Sequence, residues 1–422
     1  MAVRRRRIAV VGAGVSGLTA AYVLQRACEV SLYEADDRLG GHAHTHDVAG
    51  RGGQAIRVDT GFIVHNERTY PTLLRLFDEL GVRTQDSEMS LSVRCGGCGL
   101  QYAGARGPGG LFAQPRSMLR GRYLRMLTEV PLFHRAAREV LASERAGTQT
   151  LGRFVAERRF SAYFVTHFVI PLVASVWSCA PELAMRYPAA YLFRFLQHHG
   201  LLSVSGSPRW RTVTGGSVEY VSRIGKQLTA LHTATPVRSV RRGSDRAEIT
   251  TDDGTTREYD GVVLATHPDQ ALRVLADATP DERRVLGAFR YSRNETVLHT
   301  DTSLLPSARR ARASWNYFLP TCSAPAQNVQ VSYHMNRLQK LDTPEDYVVT
   351  LNAADMVAPE QVLARMVYEH PLYTPESVAA QQHLPSLATP VTAYAGAYHG
   401  WGFHEDGCRS GVRAAAALGV RW

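Results

Sequence analysis

The pattern of apolar and polar positions at the start of the chain predicts a strand, a tight turn, a helix and a second strand. Residues 8–11 are a short apolar run of the kind that forms a buried parallel strand. Residues 18–24 are apolar with a small face, which indicates a closely packed helix, and residues 30–33 indicate another strand. This order of elements is typical of the first half of a nucleotide-binding fold.

Three glycines between the first strand and the helix support this interpretation. Gly12, Gly14 and Gly17 have the spacing in which the first makes the turn, the second admits a pyrophosphate and the third lets helix and strand approach. Glu34 ends the second strand about 20 residues later, where an acid contacts the ribose hydroxyls of a dinucleotide. The arginines at 4–7 before an apolar run also fit an export signal, but such a signal requires none of these spacings.

Later parts of the chain contain strands and helices that can complete the same sheet. A hairpin is predicted around a turn at 252–254, and residues 261–266 indicate a buried strand. Residues 392–398 indicate a further strand, and the small residues at 410–417 predict a closely packing helix. The sequence therefore predicts an α/β, Rossmann-like cofactor domain within an α+β chain, built from residues 1–70, 208–270 and 386–422.

Two insertions separate these parts, and we expect residues 71–207 and 271–385 to form one substrate-binding domain. The first insertion opens with a helix at 71–81, because its apolar residues have helical spacing. Its most apolar stretch, residues 164–178, includes a histidine and a proline and is shorter than the roughly 20 residues that span a bilayer. We therefore predict a buried helix there and no membrane span.

Composition and charge exclude several classes of protein. Hydrophobic residues are 45% and charged residues 20% of the 422 positions, as in globular chains. The net charge is +10, but the chain has no basic cluster interleaved with exposed aromatic residues, so no nucleic-acid partner is predicted. Residues 106–125 mix five arginines with apolar side chains. This segment forms either a peripheral membrane contact, which would associate the protein with a membrane, or an exposed basic face.

The six cysteines are too few for a disulfide framework in a chain of this length, which predicts a reduced, cytoplasmic setting. Cys95 and Cys98 form a Cys-x-x-Cys pair in a predicted hairpin with a Gly-Gly turn. No second pair of this kind completes a zinc site. His42, His44 and His46 alternate along the chain without cysteine or carboxylate partners in sequence. We therefore predict no metal site.

Further motifs resemble those of the flavin-dependent amine oxidase and desaturase superfamily. In that superfamily the ribose-binding acid is followed by Arg-x-Gly-Gly, as Glu34 is followed here by Arg38, Gly40 and Gly41. Other blocks resemble a branch of predicted FAD-binding proteins often encoded beside cyclopropane-fatty-acid-synthase-like methyltransferases. These blocks are residues 59–66 with Tyr70 and Pro71, residues 265–270, residues 332–339 and residues 402–407. They lie in both predicted domains, so the resemblance covers nearly the whole chain.

The resemblance implies a cofactor domain of the glutathione-reductase and amine-oxidase type that binds FAD. Binding is expected to be noncovalent, because the chain lacks a Ser-Gly-Gly-Cys-Tyr type of attachment sequence. The backbone of Val237 is expected to contact the adenine. The helix at 410–417, whose amino end follows Asp406 and Gly407, is expected to direct its positive end at the flavin. Asp406 either contacts the flavin or caps that helix. The residues expected to bind FAD are Gly12, Gly14, Ser16, Gly17, Glu34, Arg38, Gly40, Gly41, Val237, Gly402, Phe403, Asp406 and Gly407.

The implied activity is dehydrogenation of an apolar substrate, of which a fatty-acyl chain is one candidate, by hydride transfer to flavin N5. Oxygen or another acceptor then reoxidises the flavin. Phe403 stands where related amine oxidases have a tyrosine beside the flavin, and neither Lys226 nor Lys340 matches the lysine often found near N5. An isomerase of unsaturated lipids, an amine oxidase and a non-catalytic FAD-binding protein are the alternatives.

Desaturation also removes a second proton, which requires a base. The candidate catalytic residues are His404, Glu405, His334 and Asn336, provided that they face the flavin. The alternative is a structural role, in which His334 completes the hydrogen bonding of a core strand and Glu405 fixes its own loop.

Overall fold

The computed structural model describes residues 4–50, 52–143, 149–203, 207–322 and 328–422. The strands, in chain order, are β1 (Arg7–Val11), β2 (Glu29–Tyr33), β3 (Thr45–Ala49), β4 (Ala55–Asp59), β5 (Val64–Asn66), β6 (Thr84–Asp86), β7 (Leu91–Cys95), β8 (Gln101–Ala103), β9 (Trp210–Val213), β10 (Ala230–His232), β11 (Val237–Arg242), β12 (Ala247–Thr251), β13 (Thr256–Tyr259), β14 (Gly261–Leu264), β15 (Arg290–His299), β16 (Trp315–Leu319), β17 (Val331–His334), β18 (Val348–Leu351), β19 (Val362–Leu372) and β20 (Thr392–Tyr394).

The α-helices are α1 (Val15–Leu24), α2 (Pro71–Leu80), α3 (Gly107–Leu111), α4 (Gly121–Ala142), α5 (Leu151–Glu157), α6 (Ala162–Phe164), α7 (Ile170–Trp177), α8 (Pro181–Arg186), α9 (Ala189–His198), α10 (Val218–Gly225), α11 (Pro268–Val274), α12 (Pro280–Leu286), α13 (Met335–Leu338), α14 (Pro375–Gln381) and α15 (His404–Ala417). A π-helix, Val165–Val169, lies between α6 and α7. Short 3₁₀ segments are Gly104–Arg106, Pro115–Leu119, Arg309–Ala311, Ala354–Met356, Pro359–Gln361, Leu384–Leu387 and Ala397–His399.

The first main sheet is parallel, with the strand order β10-β2-β1-β14-β20. Strand β1 pairs with β2 on one side and β14 on the other, so the glycine turn after β1 lies in the middle of the carboxyl edge. Open α/β sheets bind ligands at this edge. The α/β prediction is confirmed, and the five strands come from all three segments assigned to the cofactor domain.

Helices α1 and α15 pack at unusually close range. A Cβ on Gly411 would lie 2.4 Å from the Ser16 carbonyl oxygen, and a Cβ on Gly407 would lie 2.7 Å from Cγ1 of Val15. The predicted closely packing helix is therefore present, but it begins at His404 instead of Ser410. Its first turn starts earlier because the Asp406 side chain accepts a hydrogen bond from the backbone N–H of the N-cap residue.

The second main sheet has seven strands in the order β19-β15-β18-β17-β16-β7-β8. It is antiparallel except for the parallel pair β16 and β7. Helices α4 to α9 form a layer whose apolar side chains share a core with β7, β8, β16 and β17. All seven strands of the sheet come from the two insertions, which supports the expectation that the insertions form one substrate-binding domain.

Helix α2 differs from its expected place in the substrate domain. Its buried residues Leu73, Leu76, Phe77 and Leu80 lie in the same apolar core as α1 and α15. The helix therefore belongs with the cofactor domain, and we propose that the domain boundary lies after Leu80.

The apolar stretch 164–178 is largely helical, as predicted, but its first part, Val165–Val169, is a π-helix. A proline ring conflicts with the carbonyl four residues earlier in an α-helix, and Pro171 stands four residues after His167. The His167 carbonyl instead accepts a hydrogen bond from the Tyr102 hydroxyl at 2.7 Å. Within the described residues, no helix is both long and apolar enough to cross a membrane.

Candidate active site

Glycines that follow β1 and β2 form one surface, which we call the nucleotide cradle. Its members are Gly12, Gly14, Gly17, Gly40 and Gly41. Gly12 has a φ of +100°, and a Cβ there would lie 2.9 Å from the Ala265 carbonyl oxygen. A Cβ on Gly17 would lie 1.9 Å from the Gly12 carbonyl oxygen. By contrast, a Cβ on Gly14 would meet no described atom within 4 Å. The cradle is therefore tightly packed behind Gly14 and open in front of it.

The second half of the cradle comes from the Arg-x-Gly-Gly motif. The Gly40 N–H donates to the Ala13 carbonyl at 2.9 Å, and a Cβ on Gly41 would lie 3.2 Å from the Gly14 Cα. Arg38 donates to the Gly41 carbonyl at 2.9 Å and so holds this turn in place. Backbone contacts thus join the two glycine motifs into one surface.

Glu34 stands beside the cradle at the end of β2. One carboxylate oxygen accepts the Ala13 N–H at 2.6 Å and the other accepts the Asp36 N–H at 3.1 Å. These bonds fix the carboxylate at the mouth of the loop, close to its expected place for a ribose contact.

Two other expected FAD contacts lie on the same domain. Ser16 is buried in the first turn of α1, where its Oγ faces Gly407 of α15. Val237 begins β11, and a bulge interrupts the ladder between Val237 and Ser239. Their contacts with FAD stay predictions.

The carboxyl-terminal motif lies next to the amino end of α1. Gly402 has a φ of +91°, and a Cβ there would lie 2.9 Å from the Tyr373 hydroxyl oxygen, so glycine is needed at this turn. Asp406 accepts the backbone N–H groups of Trp401 at 2.9 Å and Phe403 at 3.2 Å. Burial raises the pKa of Asp406 to about 6, although Arg409 donates to it at 2.7 Å. These bonds match the capping alternative for Asp406.

Glu405 has its carboxylate bound to the start of another helix. It accepts the backbone N–H groups of Thr72 and Leu73 at 3.0–3.1 Å and the Thr72 hydroxyl at 2.6 Å. Glu405 therefore joins α15 to the amino end of α2, which matches the loop-fixing alternative.

His404 is also held by neighbours within the cofactor domain. Its ring stacks on Phe62 with a centroid separation of 3.6 Å, and its Nε2 lies 3.0 Å from the Tyr220 hydroxyl. Burial, with a smaller effect from His65, lowers the pKa of His404 to about 3. The imidazole is therefore neutral and held by two of its neighbours.

His334 ends β17 in the second sheet, and Asn336 lies in the short helix α13 that follows. The His334 Nε2 lies 2.8 Å from an Asp346 carboxylate oxygen. The Asn336 side chain donates to the Glu345 carbonyl at 2.6 Å and accepts the Tyr347 N–H at 2.7 Å. Both side chains thus bind the segment that leads into β18, and no hydrogen bond or ring contact among the described residues joins them to His404 or Glu405.

Sequence reasoning missed a group of imidazoles where the two domains meet. The His42 ring lies 5.1 Å from that of Tyr368 and 5.3 Å from that of His370. Burial, followed by the proximity of His370 and His267, holds the pKa of His42 well below its usual range. Burial and the proximity of His267 also lower the pKa of His370 to about 4. The signal available in the sequence was the position of His42 directly after Gly41.

An aromatic wall adjoins the carboxyl-terminal motif, formed by Trp177, Phe195, Tyr373, Trp401 and Phe403. Phe403 stacks on Phe195 at 4.9 Å and meets the edge of Trp177 at 6.4 Å. The Trp177 indole N–H donates to the Trp401 carbonyl at 2.9 Å, which ties the helical layer to this motif. Trp177, Phe195 and Tyr373 are buried, so the rings of Trp401 and Phe403 form the partly exposed side of the wall, next to the start of α15.

The cradle fits a dinucleotide cofactor. At Gly12 and Gly17 the backbone is too closely packed for a side chain, whereas the space beside Gly14 is open. The amino end of α1 provides a partial positive charge that attracts phosphates. The fold and this site together define a flavin-dependent oxidoreductase. Comparison with known proteins gives the family: its model, described as flavin containing amine oxidoreductase, matches residues 15–298. The chain therefore belongs to the flavin containing amine oxidoreductase family and is an enzyme.

Two curated relatives are porphyrin-pathway oxidases by name. Coproporphyrinogen III oxidase from Mycobacterium leprae is 26% identical over 300 residues, which cover 68% of this chain and 64% of that protein. Protoporphyrinogen oxidase 2 of Arabidopsis thaliana is 61% identical over 41 residues, 10% of this chain and 8% of that protein. The chain thus spans less than two thirds of the length of these relatives.

Solved structures with the same fold cover nearly the whole chain. Wild-type putrescine oxidase bound to putrescine has a TM-score of 0.69 at 17% identity, covering 98% of both chains. A fatty acid isomerase from P. acnes has a TM-score of 0.68 at 18% identity, covering 98% of this chain and 99% of that one. At these identities the similarity establishes the fold. The association with cyclopropane-fatty-acid-synthase-like enzymes stays a prediction.

Proposed function

We propose that this enzyme binds FAD noncovalently and dehydrogenates an apolar substrate, with a fatty-acyl chain as the leading candidate. When bound, FAD supplies a hydride acceptor at flavin N5, and oxygen or another acceptor takes up the electrons. The residues of the cradle would hold the diphosphate at Gly14, and Glu34 would bind the ribose. Ser16, Val237 and the 402–407 turn are the other proposed contacts.

The aromatic wall is the observation that carries the proposed substrate class. Phe403 is surrounded by Phe195, Trp177 and His199, with ring centroids 4.9, 6.4 and 5.8 Å away. The nearby carboxylate of Asp406 is bound to backbone N–H groups and Arg409, so it is not free to pair with an ammonium group. Ring carbons at this position would exclude water and orient an apolar chain.

We propose His42 as the group that takes up the second proton. His42 directly follows the cradle at Gly41, and its ring lies beside those of Tyr368 and His370. His370 is a weaker candidate, because the Asn294 amide donates to its Nδ1 at 3.0 Å and places the remaining proton on Nε2. His404, Glu405, His334 and Asn336 have hydrogen bonds that support positioning roles.

Anaerobic mixing of the purified yellow protein with fatty acids, acyl esters and amines tests the proposal. Lasting bleaching by an acyl substrate with formation of a new double bond supports dehydrogenation. Product without lasting bleaching would establish the isomerase alternative, and bleaching by amines alone would establish an amine oxidase. Silence towards all of them would favour a binding-only flavoprotein.

A matched pair of variants tests the proton acceptor. His42→Gln should retain FAD and lose at least about 100-fold in the rate of bleaching, because general base catalysis contributes about 10²–10⁴-fold. His44→Gln is the control, since His44 is held by the Tyr368 hydroxyl at 3.0 Å. Equal bleaching rates in the two variants would contradict the assignment of His42.

A peripheral membrane contact is proposed for part of residues 106–125. Met118, Leu119 and Leu124 are 53%, 89% and 40% exposed, next to exposed arginines at 116, 122 and 125. Arg106 and Arg120 instead donate inward, to the carbonyls of Arg312 and Cys98. Leu119→Asp should abolish co-sedimentation with anionic phosphatidylglycerol vesicles, whereas Leu363→Asp, at an exposed residue of β19, should not. Equal binding by both variants would exclude this surface.

A further inference from the structure

Four potential metal ligands from three distant parts of the chain meet outside the active site. We propose that Cys95, Cys98, His167 and Cys322 bind one zinc ion. Their ligand atoms all lie within 4.8 Å of one another. The sequence predicts no metal site here because it contains no second Cys-x-x-Cys pair. The structure supplies the missing ligands singly, one from the π-helix and one from the segment after β16.

Two of the separations between the ligand atoms match tetrahedral zinc. Zinc binds sulfur at about 2.3 Å and imidazole nitrogen at about 2.0–2.1 Å, which places neighbouring tetrahedral ligand atoms about 3.5–3.8 Å apart. The Sγ atoms of Cys95 and Cys322 are 3.5 Å apart, and the Cys98 Sγ is 3.6 Å from the His167 Nε2. A disulfide needs about 2.05 Å between sulfurs and would leave Cys98 and His167 unused.

The imidazole is oriented as a zinc ligand. His167 directs its Nδ1 at the Tyr163 carbonyl at 3.0 Å, and its ring stacks on that of Tyr163 at 3.9 Å. A proton on Nδ1, donated to this carbonyl, leaves the Nε2 lone pair free to face the three sulfurs. Metal-binding histidines generally have such a partner on the other ring nitrogen, because it fixes both tautomer and orientation.

The hairpin turn between β7 and β8 is shaped to bring its sulfurs to Cys322. A Cβ on Gly96 would lie 2.7 Å from the Pro320 carbonyl oxygen, and a Cβ on Gly97 would lie 2.9 Å from the Cys322 backbone nitrogen. Larger residues would therefore push the turn away from the segment that carries the fourth ligand. The predicted Gly-Gly turn is present, and the close approach explains why both positions are glycine.

The ion would join elements that border the aromatic wall. Cys95 and Cys98 belong to the hairpin of the second sheet, whereas His167 belongs to the helical layer. The helix that follows His167 ends at Trp177, which contacts both Trp401 and Phe403. With three cysteines and one histidine the site is closed to other ligands, as in structural zinc sites. We therefore assign it a structural role.

Metal analysis of the full chain, expressed in zinc-containing medium and purified without a metal-affinity step, tests this proposal. We expect about one zinc per chain, and loss of most of it in Cys98→Ser and Cys322→Ser. Cys28→Ser is the control, because Cys28 is buried in the cofactor domain away from the cluster. Removal of zinc should leave the flavin bound and lower Tm by about 5 °C or more.

Cobalt provides a second measurement on the same protein. Co²⁺ added to the zinc-free chain should produce visible bands of tetrahedral thiolate coordination at wavelengths beyond the flavin absorption, and His167→Gln should weaken them. The proposal is overturned by zinc-free preparations in which Co²⁺ produces no such bands, or by a Cys95–Cys322 disulfide in protein purified without air. These readouts do not involve turnover, so they are independent of the function proposed above.

Discussion

The nucleotide cradle and the aromatic wall are shaped by different kinds of contact. In the cradle, the backbone of Gly17 leaves no room for a side chain, and Gly40 binds the carbonyl of Ala13. In the wall, Phe195 and Phe403 belong to helix α9 and the turn before α15, and only their side chains meet. Backbone shape thus defines the proposed cofactor end of the site, and side-chain packing between distant segments defines the proposed substrate end.

This difference explains why the two ends convey different information. A glycine loop binds a diphosphate through shape and backbone N–H groups, so its sequence indicates the ligand. Packed rings indicate only that a substrate is apolar, since many substrates share that property. The function of the cradle can therefore be tested by a glycine-to-alanine substitution, which adds one methyl group. The function of the aromatic wall must be tested by comparing substrates.

The largest effect is expected from two glycines of the cradle. Gly17→Ala should prevent stable folding or cost more than about 4 kcal/mol, because its Cβ would lie 1.9 Å from the Gly12 carbonyl oxygen. Gly14→Ala should fold normally yet bind FAD at least tenfold more weakly, a loss of about 1.4 kcal/mol. Urea unfolding and FAD titration measure the two quantities. Wild-type FAD affinity in Gly14→Ala would show that the diphosphate does not lie there.

Glu405 provides the next largest expected effect and separates a positioning role from a base. Glu405→Ala leaves the Thr72 and Leu73 N–H groups without this acceptor and should cost about 3 kcal/mol of stability. Glu405→Gln keeps one acceptor oxygen. It should lose about half as much stability as Glu405→Ala, with little change in turnover. Urea unfolding and anaerobic bleaching rates make the measurement. A Gln variant of normal stability that fails to bleach would restore Glu405 as a catalytic base.

The pH dependence of stability tests the buried imidazoles. Burial lowers the pKa to about 3 or 4 in His44, His65, His134, His199, His299, His370, His399 and His404. The unfolded chain takes up protons near pH 6.5 and the folded chain does not, so stability is lost as pH falls below about 6.5. Asp59 and Asp406, with pKa values raised to about 6 by burial, oppose this trend, since their contribution is lost as pH rises.

The histidines outnumber the two carboxyl groups, so Tm should fall by at least about 5 °C between pH 7 and pH 5.5. His65→Phe should flatten the slope, whereas His383→Gln, at an exposed position, should not. Flavin release should accompany global unfolding, because the cradle is held by backbone contacts. A Tm independent of pH over this range would contradict the neutral state of these imidazoles.

The smallest of these effects is expected at Glu34. Glu34→Ala removes the acceptor for the Ala13 N–H and the proposed ribose contact, and should weaken FAD binding about tenfold. Asp36→Ala is the control, because Asp36 is 65% exposed and only loosely paired with Arg38 at 3.9 Å. Fluorescence titration with FAD compares them. Normal occupancy in Glu34→Ala would place the ribose elsewhere.

The sequence predicts the first strand, turn and helix of the cofactor sheet well because their signals are local. Gly12 to Gly17, Glu34 and Arg38 to Gly41 follow each other within a short stretch, and their spacing alone specifies a strand, a turn and a helix. The same holds for the hairpin around Gly96 and Gly97, whose two strands are adjacent in sequence.

The remaining features depend on contacts between distant residues that no local pattern reveals. From the sequence alone Glu405 is a plausible base. In the structure its carboxylate binds Thr72, which is 333 residues away along the chain. Cys322 completes the cysteine cluster from 227 residues beyond Cys95. The rings of His370 and His42 meet because β19, which carries His370, packs against the segment that follows Gly41. Tertiary packing decides each of these pairs.

The close packing of α1 against α15 has a consequence for how the protein matures in the cell. Thr19 and Cys408 touch across 389 residues of chain. At about 5–20 residues per second, a ribosome needs roughly 20–80 s to add that much chain. During this interval α1 can already pack against α2 and α10, but the face that contacts α15 stays uncovered. Cofactor loading should therefore follow translation.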